Sequence, residues 1–211
     1  MLNKIYFLFR DFRKNLKLKA IKKSVSEKAT LVGENHAFGP YSHVSLVFGS
    51  SKNDIVLHDH VDMFGTIHSC AGGKVIMHEW SKIGPHSDIN AVNRVEIGKN
   101  TAIASRVTII DNNTHSINPE DRLYMRHTPH GSLERSNQYS ANAPIIIGEN
   151  VWIGTGARIQ KGITIGDNSI IAAHSVVTHD VPANSIAAGN PARIVKTDID
   201  KTTERIFPLK D

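Results

Sequence analysis

The sequence predicts an all-β fold in which short parallel strands wind around one aliphatic core, a parallel β-helix. Three observations predict it. Aliphatic residues recur every six positions in the second half of the chain, at Ile147, Ile153, Ile159, Ile165, Ile171 and Val177. The same period recurs earlier, at Ile97, Ile103 and Ile109 and at Met77, Ile83 and Ile89. Aromatic residues form only 6% of the chain, so the core must be aliphatic.

A period of six fits neither an α-helix nor an ordinary alternating strand. It suits strands that turn a corner every six residues and aim one aliphatic side chain inward. Small residues such as Gly148, Gly154 and Gly166 follow many of these positions, because a corner brings backbones close together. Three corners close a coil of about 18 residues, and successive coils stack as parallel strands ~4.8 Å apart. We expect one such domain over residues 29–196, since 211 residues with 40% hydrophobic content suit a single core.

The positive charge is concentrated at the N-terminus. Residues 1–28 contain nine basic side chains: Lys4, Arg10, Arg13, Lys14, Lys17, Lys19, Lys22, Lys23 and Lys28. Against Asp11 and Glu27 they give that segment +7, so the rest of the chain carries −2 of the total of +5. A body without net positive charge argues against a nucleic-acid-binding face.

The basic segment 1–28 also predicts an amphipathic helix. Its apolar residues recur at helical spacing: Leu2, Ile5, Tyr6, Phe9, Phe12 and Leu16. Either this stripe packs on the protein's own body or a sister subunit, or residues 1–23 lie on an anionic membrane surface.

The sequence predicts no membrane span, because it contains no run of about 18 apolar residues. The lone Cys70 fits a reducing compartment, so we expect a cytoplasmic location, at the inner membrane surface if the helix binds there. Residues 197–211 are expected to be a C-terminal tail.

The stretch "IIDNNTHSINPEDR", residues 109–122, interrupts the repeat. After Ile109 the chain becomes polar, and the period returns at Ile147, out of phase with the earlier coils. A polar insertion cannot enter an aliphatic core, so residues 111–143 are predicted to leave the coil as an extruded loop. His115 lies where the loop begins, at a coil edge, and a rigid scaffold commonly places working side chains there.

The stretch "IIIGENVWIGTGARIQKGITIGDNSIIAAHSVVTHDVPANSIAAGNPARIV" resembles the C-terminal half of the hexapeptide-repeat acyltransferases. This family includes galactoside, maltose and polysaccharide O-acetyltransferases. The resemblance covers roughly residues 30–196 and is densest over 83–196. It implies a left-handed β-helix, acyl transfer from acetyl-CoA, and a homotrimer whose sites lie between subunits. The left hand comes from the resemblance alone, since ordinary crossovers are right-handed.

The resemblance implies two catalytic residues. Acyl transfer to a hydroxyl or amine needs a base for the nucleophile's proton, and imidazole, whose unperturbed pKa is about 6.5, suits that task. "TIIDNNTH" is similar to the family segment that carries the catalytic histidine, which implies that His115 is the base. Asn90, in "IGPHSDIN", matches an active-site asparagine that orients acceptor or thioester. The following coil is shorter than in galactoside acetyltransferase, so a carboxylate of the sugar enzymes has no match and the acceptor stays open.

The resemblance also implies a binding site for the coenzyme. Trp152 matches a tryptophan beside acceptor and thioester, and Thr155, Ala173 and Thr178 match positions that line the pantetheine channel. Arg193 and Lys196, in "GNPARIVK", match basic residues that meet the phosphates.

The function predicted from these residues is acetyl-CoA-dependent O-acetylation of a sugar in surface-polysaccharide or other glycan metabolism. An N-acetyltransferase acting on an amino sugar or antibiotic is the nearest alternative. Zinc enzymes of the γ-carbonic-anhydrase type share the fold, and the chain offers candidate metal ligands at His58, His60, Asp62, His68 and Cys70. Their "GH…HGC" pattern is absent, however, and no metal is expected. A non-enzymatic scaffold is a further alternative.

Overall fold

The computed structural model describes the backbone of residues 2–202 and the side chains of residues 10–202. Two α-helices lie within this part of the chain, α1 (Leu2–Lys28) and α2 (Pro119–His127). The strands before α2 are β1 (Thr30–Leu31), β2 (Ala37–Phe38), β3 (His43–Val47), β4 (Ile55–Leu57), β5 (Asp62–Met63), β6 (Thr66–Cys70), β7 (Lys74–Met77), β8 (Lys82–Ile83), β9 (Asp88–Ala91), β10 (Arg94–Ile97), β11 (Ala102–Ile103) and β12 (Thr108–Ile110). The strands after α2 are β13 (Ile145–Ile147), β14 (Trp152–Ile153), β15 (Arg158–Ile159), β16 (Thr164–Ile165), β17 (Ile170–Ile171), β18 (Val176–Val177), β19 (Ile186–Gly189) and β20 (Ala192–Lys196). Short 3₁₀ turns occur at Lys52–Asp54, Leu133–Arg135, Asn137–Tyr139 and Ile199–Lys201.

Every third strand belongs to the same sheet. The first sheet has the order β1-β4-β7-β10-β13-β16, the second β2-β5-β8-β11-β14-β17-β19-β20, and the third β3-β6-β9-β12-β15-β18. All neighbours pair in parallel except β19 and β20, which are antiparallel. The chain therefore winds as a triangular prism, and the predicted all-β, parallel left-handed β-helix is confirmed.

The core is a column of the residues that the period of six singled out. Ile103, Ile109, Ile153 and Ile159 are among its members and are at most 1% exposed. Ile147 pairs with Ile165, which is one coil of eighteen residues, whereas Ile83 pairs with Ile103, which is a coil of twenty. The extra residues fall where β6 and β9 run on past the buried position. The period is therefore less regular in the first half of the sequence.

The three sheets meet at three edges of the prism, which are called corners here. The first corner joins the first sheet to the second, the second corner joins the second sheet to the third, and the third corner leads from the third sheet into the next coil. Close backbone approach explains the small residues at these corners. A side chain at Gly154, on the second corner, would place its Cβ 2.6 Å from the backbone nitrogen of Ala173.

Both ends of the coil are covered. The C-terminal part of α1 packs on the first coil, where Val25 and Ala29 are each 1% exposed. Lys28 Nζ donates a hydrogen bond to the backbone oxygen of Val44 in β3, at 3.2 Å. At the opposite end, β20 turns back along β19 and closes the edge of the second sheet.

The predicted apolar stripe of α1 is only partly within the described side chains. Leu2, Ile5, Tyr6 and Phe9 lie outside them, whereas Phe12 is 59% exposed and Leu16 is 50% exposed. In the part of the chain that the structure describes, neither α1 nor α2 combines the length with the apolar character that crossing a bilayer requires.

The insertion leaves the coil at the third corner, between β12 and β13, as predicted for residues 111–143. It contains α2, which the sequence analysis did not anticipate. The signals for this helix are present: Asn118 caps it by accepting a hydrogen bond from the Glu120 amide, and Pro119 occupies its first turn. The insertion folds over the end of β6, where Cys70 is 4% exposed and burial raises the pKa of its thiol.

Candidate active site

Asn90 and His115 both lie at the third corner and are linked through Asn112 and Thr114. Asn90 lies in β9 and pairs in register with Ile110 of β12, the last strand before the insertion. Asn112 connects the two residues: its Nδ2 lies 3.3 Å from Asn90 Oδ1, and its Oδ1 accepts a hydrogen bond from the Thr114 amide at 2.9 Å. Asn137, from the far side of the insertion, also donates to Asn90 Oδ1, at 3.3 Å. Asn90 therefore holds both ends of the insertion.

Thr114 lies against the imidazole ring of His115. Its Oγ1 is 2.6 Å from the backbone oxygen of Asn113, to which it donates, and 3.1 Å from His115 Nδ1. The tautomer with the hydrogen on Nδ1 satisfies both contacts, because the hydroxyl then donates to Asn113 and accepts from the ring. In that tautomer Nε2 has a lone pair, and it has no hydrogen-bond partner among the described residues. An exposed imidazole with a free Nε2 can remove a proton from a bound molecule.

The backbone at Thr114 is strained. Its φ is +63°, in the left-handed region that β-branched residues rarely adopt. A residue held there costs about 1–3 kcal/mol, and such residues cluster at functional sites. The strain turns the chain directly before His115, and the bond to Asn112 helps to hold it.

Asp111 supports this corner from inside the protein. Its side chain is fully buried and accepts hydrogen bonds from the backbone amides of Val92 and Asn93, at 2.9 and 2.8 Å. Its Oδ1 also accepts from Asn112 Nδ2, at 3.0 Å, and its backbone oxygen accepts from the Ala143 amide, at 2.9 Å. Asp111 thus joins the previous corner to the beginning and end of the insertion.

Three of the predicted coenzyme residues lie elsewhere, on the second sheet and the second corner. Trp152 begins β14 and points outward, with 56% of its surface exposed. Thr155 and Ala173 occupy the second corner of successive coils, where the backbone oxygen of Thr155 accepts from the His174 amide at 2.9 Å. One chain therefore places these residues on a different edge of the prism from Asn90 and His115.

The remaining predicted residues lie at the C-terminal end of the coil. Thr178 is at the third corner, below the insertion, and its Oγ1 lies 2.9 Å from His179 Nδ1. Arg193 lies on β20 and lines a cavity of about 310 Å³ together with His179 and Asp180. Lys196, at the end of the same strand, is exposed. Polar side chains thus occur along the third corner, from Asn90 to Thr178 and to His179, which lines the same cavity as Arg193.

The histidines considered as metal ligands do not gather in one place. His60 pairs with Asp59 and His68 with Asp88, each at 3.0 Å, while Cys70 is buried beneath the insertion. In the region from residue 10 to residue 202, potential ligand atoms within 4.8 Å of one another come from His58, His78 and Glu79, at the first corner. The rings of His58 and His78 are stacked, with centroids 5.1 Å apart and planes 24° apart. Both rings have carboxylate partners: His78 Nε2 lies 2.8 Å from Glu96 Oε1, and His58 Nδ1 lies 3.7 Å from Glu79 Oε1.

Three residues of the site were not predicted from the sequence: Asp111, Asn112 and Thr114. The signal for the first two is the run "DNN" directly after a strand, since Asp and Asn side chains commonly bond nearby backbone in turns. Thr114 had no comparable signal, because its role depends on the direction in which one hydroxyl donates.

Comparison with known proteins agrees with this architecture. Residues 144–179 match the family model "Bacterial transferase hexapeptide (six repeats)". The chain is 39% identical over 120 residues to galactoside O-acetyltransferase of Escherichia coli, an alignment that covers 54% of this chain and 59% of the relative. It is 32% identical over 124 residues to the lipopolysaccharide biosynthesis O-acetyl transferase WbbJ of E. coli, covering 59% of this chain and 61% of the relative. The chain thus spans about three fifths of the length of these relatives.

Solved structures extend the similarity over most of the chain. The polySia-specific acetyltransferase NeuO is 25% identical, with a TM-score of 0.59 over 84% of this chain and 91% of that one. AntD, an N-acyltransferase from Bacillus cereus, is 20% identical, with a TM-score of 0.61 over 85% of this chain and 87% of that one, and shares the fold. The chain is therefore a left-handed β-helix protein that carries bacterial transferase hexapeptide repeats over residues 144–179 and is similar in sequence and fold to the hexapeptide-repeat acyltransferases.

Proposed function

We propose that this protein is a coenzyme-A-dependent acyltransferase that O-acetylates a sugar hydroxyl in surface-polysaccharide or related glycan metabolism. The observation that supports it best is the exposed imidazole of His115 at the edge of the repeat fold, with Nδ1 3.1 Å from Thr114 Oγ1 and Nε2 without a partner among the described residues. The similarity to galactoside O-acetyltransferase supports the reaction class.

In this proposal His115 acts as the general base. Its Nε2 accepts the proton of the acceptor hydroxyl while the hydroxyl oxygen bonds to the acyl carbon. The resulting imidazolium stays hydrogen-bonded through Nδ1 to Thr114 and returns the proton to the sulfur when the carbon–sulfur bond breaks. Asn90, held between Asn112 and Asn137, orients the reacting groups. Acetyl-CoA supplies the activated acyl group, and the products are an ester and the free thiol.

Residues on two edges of the prism would hold the coenzyme. Arg193 and Lys196 are exposed cations suited to its phosphates, and Trp152, Thr155 and Ala173 line the second sheet and corner. Because these edges are separated within one chain, we propose that the third corner of one subunit faces the second corner of the next in a homotrimer.

This arrangement predicts the oligomeric state. Sedimentation equilibrium should give about three times the chain mass of 23.2 kDa, because a monomer would have only part of each site. Mixing an inactive His115→Ala protein with an inactive Trp152→Ala protein should restore partial activity if the two residues serve one site from different subunits. A fully active monomer would contradict the assignment.

The role of Thr114 can be tested by an isosteric substitution. Thr114→Val removes the acceptor for His115 Nδ1 and leaves the backbone equally strained. We expect kcat/KM to fall about fivefold, because a neutral hydrogen bond is worth about 1 kcal/mol. Thr114→Ser keeps the hydroxyl and should restore most of the activity. Equal losses in both variants would show that the hydroxyl has no such role.

The function itself is tested by an acceptor screen. The purified protein is incubated with acetyl-CoA and nucleotide sugars, free glycosides or glycan fragments, thiol release is followed, and products are identified by mass spectrometry. An acetyl ester on a sugar supports the proposal, and an acetyl amide supports the alternative of an N-acetyltransferase. Zinc at one atom per chain, with no thiol release, would favour a zinc enzyme, and the His58–His78–Glu79 group would then be examined first. No activity and no metal would favour a scaffold.

For α1 we propose contact with a membrane through residues 1–23. Phe12 and Leu16 are exposed on the chain, and the segment is strongly basic. The protein should therefore co-sediment with anionic vesicles and dissociate as salt rises, and deletion of residues 1–23 should abolish binding. If the deletion dissociates the trimer and vesicle binding is absent, the exposed face packs on a sister subunit instead.

A further inference from the structure

A cavity of about 320 Å³ lies inside the insertion, next to His115 in the chain. It is lined by Ser116, Asp121, Tyr124, Met125, Glu134 and Tyr139. The coenzyme residues predicted from the family resemblance all lie outside it. Its volume is at the lower end of the range for small-molecule sites, which is about 300–1,000 Å³. It has room for one sugar ring rather than for a sugar together with a nucleotide.

The walls of the cavity are fixed by hydrogen bonds. Ser116, the residue after His115, donates from Oγ to Asp121 Oδ2 at 2.7 Å. Arg122, one residue further along α2, donates to the backbone oxygen of Ser116 at 3.2 Å. On the opposite wall, Arg135 Nη1 donates to the backbone oxygen of Thr128 at 2.9 Å and so ties the turn that carries Glu134 to the end of α2. These bonds fix the cavity wall at Ser116, the residue that follows His115.

The lining combines negative charge with aromatic surface. Asp121 and Glu134 contribute two carboxylates, and the residues that line the cavity include no Lys, Arg or His. The backbone amide of Glu134 holds the pKa of its carboxyl below the usual value, so the group is charged at neutral pH. Tyr124 and Tyr139 are more than half exposed, at 63% and 54%, while Met125 is 7% exposed and forms the floor.

Each of these groups suits a sugar without negative charge. Carboxylates accept hydrogen bonds from sugar hydroxyls or from an ammonium group, and aromatic rings pack against the apolar face of a pyranose. A sugar carboxylate in the same place would face two groups of like charge, which is unfavourable.

We propose that this cavity binds the sugar ring that carries the accepting hydroxyl and selects neutral or amino sugars over acidic sugars. The inference rests on the proposed function and specifies its substrate class.

The experiment compares three acceptors of one size: methyl glucoside, methyl glucosaminide and methyl glucuronide. We expect kcat/KM for the first two to exceed that for the glucuronide at least tenfold. Glu134→Gln keeps the shape of the side chain and removes its charge. It should raise the KM for the neutral acceptor about tenfold, as expected for loss of a charged hydrogen bond, and narrow the discrimination against the glucuronide. The KM for acetyl-CoA should not change.

Glu120→Gln is the matched control, because Glu120 is an exposed carboxylate on the same insertion that does not line the cavity. It should leave all three acceptors unaffected. A glucuronide used as well as the glucoside, or a Glu134→Gln protein with unchanged acceptor KM, would overturn the inference while sugar acetylation itself still stands. Absence of acetyl transfer to glycosides of every class would refute the proposed function and this inference together.

Discussion

Substitution of His115 by alanine is expected to lower kcat by about 10²–10⁴, the usual contribution of a general base. The affinity for acetyl-CoA should stay nearly unchanged, because proton transfer contributes in the transition state and not in binding. Single-turnover kinetics measure the chemical step, and titration with the coenzyme measures its affinity.

Matched controls are available within the insertion. His127 and His130 lie after His115 on the same segment, and alanine at either position should leave kcat within a few-fold of the wild type. Arg193→Ala should show the opposite pattern, with weaker coenzyme binding and a smaller change in kcat. If His115→Ala turns over normally while His127→Ala or His130→Ala does not, the base lies further along the insertion.

Asp111→Ala should have the largest effect on stability among the polar residues of the site. It removes the acceptor for the amides of Val92 and Asn93 from a fully buried position. We expect the free energy of unfolding to fall by about 2–3 kcal/mol, because hydrogen bonds to charged groups are worth about 1.5–3 kcal/mol and the donors are left unsatisfied. Urea denaturation at one fixed protein concentration measures the loss, since subunit association would otherwise change the apparent stability.

The same substitution should also lower kcat, because Asp111 holds Asn112, and Asn112 holds both Asn90 and the backbone at Thr114. Asp200→Ala, at an exposed aspartate of the C-terminal 3₁₀ turn, should change stability by no more than about 0.5 kcal/mol. Equal stability of the Asp111→Ala and Asp200→Ala proteins would mean that water replaces the lost carboxylate.

The fold could be predicted because one physical constraint repeats along the chain. Every sixth residue must fill the same aliphatic column. The interval from Ile147 to Ile153 therefore equals the interval from Ile153 to Ile159, and this regular spacing is visible in the sequence. The longer coils of the first half were harder to predict from the sequence. The extra residues beyond Ala91 face a corner, where a change of length leaves the aliphatic column intact but interrupts the spacing of six.

The site was less accessible to sequence reasoning. His115 could be singled out because the repeat stops just before it. The role of Thr114 depends on a hydrogen bond between neighbouring side chains, which no spacing encodes. The cavity behind His115 depends on the packing of α2 against the 3₁₀ turns of the insertion, and the placement of Trp152 and Asn90 on different edges appears only once the coil is wound.

The covering of both ends of the coil, by α1 at one end and by β20 at the other, has a consequence for how such a protein can change its length. Internal coils contact only the coils above and below, so stability grows with each added repeat. An insertion or loss of one whole coil between the two covers would leave α1 on the first coil and the β19–β20 pair at the end of the second sheet. A change of length by whole coils can thus alter the distance along the prism between the insertion and the cations of β20 while both covers stay in place.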